Sequence, residues 1–262
     1  MPLLPSDVRP FYLFALSLAD QARRIVRAGV GRGVRVRRKA DHSPVTSIDL
    51  RVEHRLRAMI ARRYPDHGII GEEYPPLRPA APYQWLLDPV DGTLSLTHGL
   101  PFYGTIIGLH LRGRPIVGVI DFPALAERYH AARGLGAWHN RRRLRLRDVP
   151  RRAIGDEIVS AADRVRFAEF GAAGAFDRLL RTHRHVRGYY DCIAHAWAAE
   201  GTIGAVVDFG VGPWDIAATE LLVAEAGGRY VVARRRGEGA TARLAIIAGK
   251  PTVVRWLETI FG

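Results

Sequence analysis

The stretch Trp85-Leu86-Leu87-Asp88-Pro89-Val90-Asp91-Gly92-Thr93 decides how the rest of the chain is read. Its apolar start predicts a buried strand that delivers Asp88 to its end, where Pro89 stops it. Asp91 follows three positions later, in a turn closed by Gly92. Two carboxylates held this close in a fixed turn repel one another unless a cation sits between them. Hard oxygen ligands with a neighbouring hydroxyl, here Thr93, suit Mg²⁺ or Mn²⁺ rather than a thiol-loving metal. The same letters also spell an ordinary strand-ending turn, because Asp, Pro and Gly are the usual turn residues. This segment alone leaves both readings open.

Working upstream, residues 6–28 have the spacing of an amphipathic helix, with Phe11, Phe14, Leu18, Ala22 and Ile25 on one face. Ser6 or Asp7 is its expected cap, and Gly29, Gly31 and Gly33 end it. After a basic extended piece, Thr46-Ser47-Ile48-Asp49 leads into a second helix that runs to about Arg63. Its apolar face is Leu50, Leu56, Met59 and Ile60, and Pro65 stops it. Ile69 and Ile70 form a short strand ending at Gly71-Glu72-Glu73, and a proline-rich connection then reaches the quoted stretch.

Downstream, residues 103–111, 116–121, 128–132 and 136–138 read as strands, with Arg112-Gly113-Arg114-Pro115 as a hairpin turn. After about Pro150, helix and strand alternate again. Residues 192–199 are predicted helical, 205–208 a strand, 215–226 a helix closed by Gly227-Gly228, and 244–248 a last strand. Pro251 opens a terminal helix at its favoured first position. The pattern predicts a mixed α/β (α+β) fold in layers, helices packed on sheets. Residues 1–149 form an N-terminal part with an antiparallel sheet and most candidate ligands, and residues 150–262 a C-terminal α/β part with Asp215. With no linker between them, one compact unit is expected.

Composition narrows the class. A chain of 262 residues with 48% hydrophobic and 25% charged residues has ample material for a core. Its single cysteine, Cys192, can form no internal disulfide and no thiolate zinc site. The apolar stretch from Phe11 to Ala19 is too short to span a bilayer, is interrupted by Asp20, and lacks the flanks of a signal peptide. The expectation is a cytoplasmic enzyme without a membrane partner. The net charge of +13 comes almost entirely from arginine, since only Lys39 and Lys250 among the 39 basic residues are lysines. The runs Arg141-Arg142-Arg143-Leu144-Arg145-Leu146-Arg147 and Arg234-Arg235-Arg236-Gly237 carry no interleaved aromatics for base stacking, so they read as solvated surface rather than a nucleic-acid site. The first alternates from Arg143 as a one-sided strand would, and the second leads into a Gly-rich hairpin. The positive field can still draw a phosphorylated metabolite.

The acidic residues share one description: each sits where a regular element begins or ends. Asp49 starts a helix, Glu72 follows a strand, Asp88 and Asp91 follow another, and Asp215 starts a helix after Gly212-Pro213-Trp214. Taken singly, each also reads as a cap or a solvated carboxylate. As a set, Gly71-Glu72-Glu73, then Asp88-Pro89-Val90-Asp91-Gly92-Thr93, then Trp214-Asp215-Ile216-Ala217-Ala218 resemble the three signature motifs of the inositol monophosphatase superfamily. Val45-Thr46-Ser47-Ile48-Asp49 resembles the upstream element of that family. Lys39-Ala40-Asp41, Pro65-Asp66-His67-Gly68, the loop 99–105 and Gly118-Val119-Ile120-Asp121 most resemble its histidinol-phosphatase branch.

The resemblance implies a layered αβαβα sandwich of the inositol monophosphatase/fructose-1,6-bisphosphatase type and a Mg²⁺-dependent phosphomonoesterase, with Mn²⁺ as a substitute metal. By motif, Glu72, Asp88 and the carbonyl of Val90 would hold one ion. Asp88, Asp91 and Asp215 would hold a second, and a third would sit near Glu72. The implied catalytic residues are Thr93, Asp49 and Glu72, with Thr93 and Asp49 orienting and deprotonating the attacking water. The N–H groups of Gly92 and Thr93 would bind phosphate oxygens. Asp191 and Asp208 match substrate-facing positions. Two carboxylates beyond the metals suit a cationic leaving group, and equally polyol hydroxyls. The implied substrate is thus a small phosphorylated metabolite, histidinol phosphate first and inositol-1-phosphate second. The implied assembly is a homodimer. After Asp-Gly-Thr the chain has Leu94-Ser95-Leu96, where the histidinol and nucleotide-phosphate branches carry Arg or Lys and the inositol branch carries Asn-Phe. A rival of another class is a polyanion- or RNA-binding member that has lost turnover. The complete set Asp49, Glu72, Asp88, Asp91, Thr93 and Asp215 argues against it.

Overall fold

Helix α1 (Pro5–Val30) opens the computed structural model, which describes residues 5–30, 36–38 and 44–262. Strands β1 (Val36–Arg38) and β2 (Pro44–Thr46) pair antiparallel and lead into α2 (Ser47–Arg63). Next come β3 (Gly68–Gly71), β4 (Tyr83–Asp91), the short α3 (Thr93–Thr97), β5 (Gly104–Leu111), β6 (Arg114–Phe122), β7 (Glu127–Ala132), β8 (Gly136–His139) and β9 (Arg142–Arg143). They are followed by β10 (Val159–Ala161), α4 (Arg164–Glu169), α5 (Ala173–Thr182), β11 (Val186–Arg187), α6 (Asp191–Glu200), β12 (Ala205–Val211), α7 (Thr219–Ala226), β13 (Arg229–Arg236), β14 (Arg243–Gly249) and α8 (Pro251–Phe261).

Strands β3 to β9 form one seven-stranded sheet in sequence order, parallel only between β3 and β4. The five-stranded sheet runs β11-β10-β12-β14-β13. Strand alternation assigns the layers. Trp85, Leu87, Ile107, Leu109, Val117 and Val119 pack with Leu18, Ala22, Leu56 and Ile60 of α1 and α2 on one face of the large sheet. The alternate residues Leu86, Ile106 and Ile120 pack with Ile193 and Ala196 of α6, Leu222 of α7, and Val206, Leu244 and Ile246 of the small sheet. On the far face of the small sheet, Val207, Phe209 and Ile247 pack with Phe167, Leu179, Val253 and Leu257 of α4, α5 and α8. The layering is α1/α2, large sheet, α6/α7, small sheet, α4/α5/α8, which is the αβαβα sandwich. Among the described residues no helix is long and apolar enough to cross a membrane.

Several local expectations are met for the stated reasons. Thr46 and Asp49 form a reciprocal capping box on α2, and Pro251 is at the start of α8. Arg112 and Gly113, both at positive φ, make the tight turn between β5 and β6. Others are corrected. Pro89 does not stop β4; the strand continues to Asp91 through a bulge. The helix expected from Asp215 starts only at Thr219. Residues 214–219 make i to i+3 turns instead, with Ala217 N–H donating to Trp214 O at 3.3 Å and Thr219 N–H to Ile216 O at 3.1 Å. Asp215 holds them there by accepting from Gly212 N–H at 2.7 Å, a local bond that competes with helix. The turn is pressed on the large sheet at Gly108, where a Cβ would lie 2.5 Å from Ala217 O. Of the first arginine run only Arg142–Arg143 is strand; the alternation continues beyond it, with Leu144 buried, its N–H donating to Ala137 O at 2.8 Å, and Arg145 and Arg147 exposed. The second run ends an edge strand, β13, that leads into the β13–β14 hairpin, with Arg235 and Arg236 exposed. Ser6 and Asp7 fall inside α1 rather than before it. Gly31, Gly33 and Lys39-Ala40-Asp41 lie outside the described residues.

Candidate active site

The bulge in β4 is what makes a site of the Asp88–Asp91 pair. In a regular strand, residues three apart point to opposite faces. Here Asp88 pairs with Ile106 and Asp91 with Gly104, so Pro89 and Val90 together face Thr105 alone. One extra residue restores the parity and sends both carboxylates to one cavity. Proline fits a bulge because it has no N–H to give the ladder. Thr105 Oγ1 closes the bulge by donating to Pro89 O at 2.8 Å. Gly92 then turns the chain at φ +81°, where a Cβ would lie 2.7 Å from Phe102 O and 3.1 Å from Asp191 Oδ2. No other residue fits both the conformation and the space.

Asp49 serves two purposes. Its Oδ2 accepts from Thr46 N–H at 3.0 Å and from the Thr46 hydroxyl, completing the cap. Its Oδ1 accepts from Thr93 Oγ1 at 3.0 Å, and the same hydroxyl lies 2.8 Å from Val90 O. The cap and the link to Thr93 are thus properties of one buried carboxylate. Glu72 lines the cavity just past β3, with its N–H donating to Leu87 O at 3.2 Å. The loop after it is held by Glu53, fully buried on α2, which accepts from Glu73 N–H at 2.8 Å and pairs with Arg57 at 2.7 Å.

From the C-terminal part, Asp215 enters the cavity, while Cys192 N–H at the start of α6 donates to Asp91 Oδ2. Asp191 begins α6 with φ +60°, a left-handed conformation that Asp tolerates better than most residues. Asp208 projects from β12 and accepts from His195 Nε2 at 3.1 Å. The cavity has a volume of about 820 Å³, and Leu94, Leu100 and Tyr190 stand exposed along its lining. Every residue anticipated for the site lines this space except Asp49, which reaches it through Thr93.

The electrostatics are those of crowded acids. Burial, and then the charges of Glu72, Asp91, Asp215 and Asp49, push the Asp88 carboxyl well above its ordinary range. Burial and Asp191 do the same to Asp91. Asp215 is pushed up to about 7 by burial and then Glu72, and Asp191 to about 6 by burial and then Asp208. Asp49 is raised by burial against its hydrogen bonds from Thr46 and Thr93. Asp88 Oδ1 is buried and has no hydrogen-bond partner among the described residues. An orphaned carboxylate oxygen among mutually destabilised carboxylates fits a hard divalent cation, which would satisfy the one and offset the other. Among the described residues no three His, Cys, Asp or Glu side chains already stand as a ligand set.

The sequence reading passed over Glu53, Arg166 and His195. Glu53 was discoverable: it lies four residues from both Asp49 and Arg57, on a helix whose neighbouring positions are apolar. His195 had a fainter signal as the polar residue in the run Cys192–Ala199, one helical turn after Asp191. Arg166, which lines the cavity beside Asp163 at 3.3 Å, had none.

Comparison with known proteins identifies the family and the fold. The model of the inositol monophosphatase family matches residues 7–258. A histidinol-phosphatase of Chlorobaculum parvum is 34% identical over 84% of this chain and 84% of its own, and one of Mycobacterium tuberculosis is 35% identical over 83% and 85%. The structure of an inositol monophosphatase from Zymomonas mobilis superposes with a TM-score of 0.82 at 29% identity, covering 100% of this chain and 99% of that one. With the bulged Asp-Pro-Val-Asp-Gly-Thr turn at the centre of that shared architecture, the chain belongs to the inositol monophosphatase family of phosphoric monoester hydrolases.

Proposed function

We propose that this phosphatase hydrolyses a small phosphate monoester with a cationic leaving group, with Mg²⁺ as cofactor, and that histidinol phosphate is that ester. The observation that carries the reading is the second acidic pair: Asp191 and Asp208 line the same cavity as Asp88, Asp91 and Asp215, and Asp208 adds to the upward shift of Asp191. An ammonium or imidazolium group would relieve that repulsion and donate charge-assisted hydrogen bonds to both carboxylates in its place. The similarity to two histidinol-phosphatases supports the same ester. Glu72, Asp88 and the Val90 carbonyl would hold one ion, Asp88, Asp91 and Asp215 another, and a third would lie near Glu72. When bound, Mg²⁺ supplies the positive charge a dianionic ester needs and acidifies a water molecule.

The chain's own groups do the rest. Thr93 Oγ1 spends its hydrogen on Asp49 Oδ1 or Val90 O, which leaves its lone pairs to accept a hydrogen from the attacking water. Asp49, its pKa raised by burial, is suited to receive the proton passed through that hydroxyl. The N–H groups of Gly92 and Thr93, at the start of α3, would bind phosphate oxygens. Carboxylates also accept from polyol hydroxyls, and the Zymomonas relative is an inositol monophosphatase, so inositol-1-phosphate is the second reading. The test is phosphate release from histidinol phosphate, inositol-1-phosphate, 3′-phosphoadenosine 5′-phosphate and fructose-1,6-bisphosphate, with and without Mg²⁺. The expected result is the highest kcat/KM on histidinol phosphate and none without the metal. No Mg²⁺-dependent turnover on any of the four refutes the proposal.

A further inference from the structure

The cavity lining includes a nearly buried imidazole that none of these chemical roles uses. His195 is 2% exposed, and both ring nitrogens are engaged. Nε2 donates to Asp208 Oδ2 at 3.1 Å, and Nδ1 meets Thr219 Oγ1 at 2.9 Å. A carboxylate oxygen accepts, so Nε2 carries the hydrogen, and a ring held at both ends cannot turn over. Thr219 is itself fully buried at the first position of α7, which makes the anchor rigid. Asp208 lies between the buried Val207 and Phe209 of β12 but keeps 25% of its side chain exposed. His195 and Asp191 are one turn apart on α6, so the helix that presents one member of the acidic pair also fixes the other.

We infer that His195 is a positioning residue for substrate selection: it ties down one oxygen of Asp208 and leaves the other for the leaving group of the ester. This rests on the reading of Asp208 as a leaving-group contact. An untethered carboxylate would have to be ordered each time substrate binds, and would lose part of its affinity to that cost. The effect falls on KM for esters that use Asp208, not on the hydrolytic step.

The test compares His195→Asn, His195→Gln, Asp208→Ala and the double variant His195→Asn/Asp208→Ala. Kinetics are measured on the best ester of the panel above and on phenyl phosphate, whose leaving group offers Asp208 nothing to bind. An Asn amide nitrogen falls near the place of Nδ1 and cannot reach Asp208, whereas a Gln amide nitrogen falls near that of Nε2. His195→Asn should therefore raise KM for the polar ester by up to about ten-fold, the cost of ordering one side chain on binding. It should leave kcat and the phenyl phosphate reaction unchanged, and His195→Gln should restore most of the loss. In the Asp208→Ala background, His195→Asn should add nothing. Equal losses on both esters, or a full further loss in that background, would mean that His195 only supports the fold. If Asp208→Ala itself leaves KM for the polar ester untouched, the leaving-group contact is wrong and the inference goes with it.

Discussion

Asp215→Asn separates the electrostatic cost of the carboxylate cluster from its use. Burial, followed by the charge of Glu72, moves the Asp215 carboxyl from 3.8 up to about 7. A raised pKa means that the folded protein holds this proton more tightly than the unfolded chain does. The group therefore costs nothing below about pH 4, costs more as pH rises, and reaches its full cost above about pH 7. For an isolated group a displacement of that size is worth about 4 kcal/mol. Asn removes the charge but leaves a polar amide in the same buried place, so only about half of that is recovered, ~2 kcal/mol. Asn keeps an oxygen to accept from Gly212 N–H, so the local turn survives. In EDTA at about pH 8 the variant should melt roughly 4–8 °C above the parent, and near pH 4 the two should melt together. Mg²⁺ should then raise the parent and close the gap while barely moving the variant, because binding to the folded state alone stabilises it. A variant less stable than the parent at the higher pH in EDTA, or one with the same Mg²⁺ response, would refute the reasoning.

Further outcomes follow from the same geometry. Gly92→Ala puts a Cβ at 2.7 Å from Phe102 O at φ +81°. It should cost about 1–3 kcal/mol in urea unfolding and most of the activity, and parent-like values in both would contradict the turn's assigned importance. Thr93→Val should lower kcat about a hundred-fold or more with KM little changed, and a kcat within a factor of about two would exclude Thr93 from the proton path. Glu53→Gln removes the charge that holds the Glu72–Tyr74 loop and should raise the Mg²⁺ concentration needed for half-maximal activity roughly ten-fold. An unchanged Mg²⁺ titration would show that the loop needs no such anchor. If the family resemblance extends to assembly, light scattering should give twice the 29.1 kDa chain mass, and the single mass would reject a homodimer.

Features that act over a few residues were legible without a structure. The capping box at Thr46 and Asp49, the glycine turns, the start of α8 at Pro251 and the strand through Trp85 all follow from backbone and side-chain rules that need no distant partner. So did the order of acidic motifs, because residue type and spacing are properties of the chain itself. The strand β13 was missed because half of its residues are arginine and none of its apolar positions is fully buried. The helix expected from Asp215 was placed too early because the letters cannot tell a carboxylate at a helix start from one that accepts Gly212 N–H and holds the chain in turns.

By itself, then, the sequence determined which groups are available: a hydroxyl, a glycine turn and carboxylates at the ends of elements. Only the tertiary structure decided that they share a space. The bulge at Pro89–Val90 puts Asp88 and Asp91 on one side, and the packing of α6 and α7 between two sheets brings Asp191, Asp208 and Asp215 to them. Glu53 and His195 likewise become meaningful only once Glu73 and Asp208 lie within hydrogen-bond reach. The physical reason is range. Turn and cap preferences are set by neighbours along the chain, whereas convergence of residues more than a hundred positions apart is set by how whole layers bury their apolar faces.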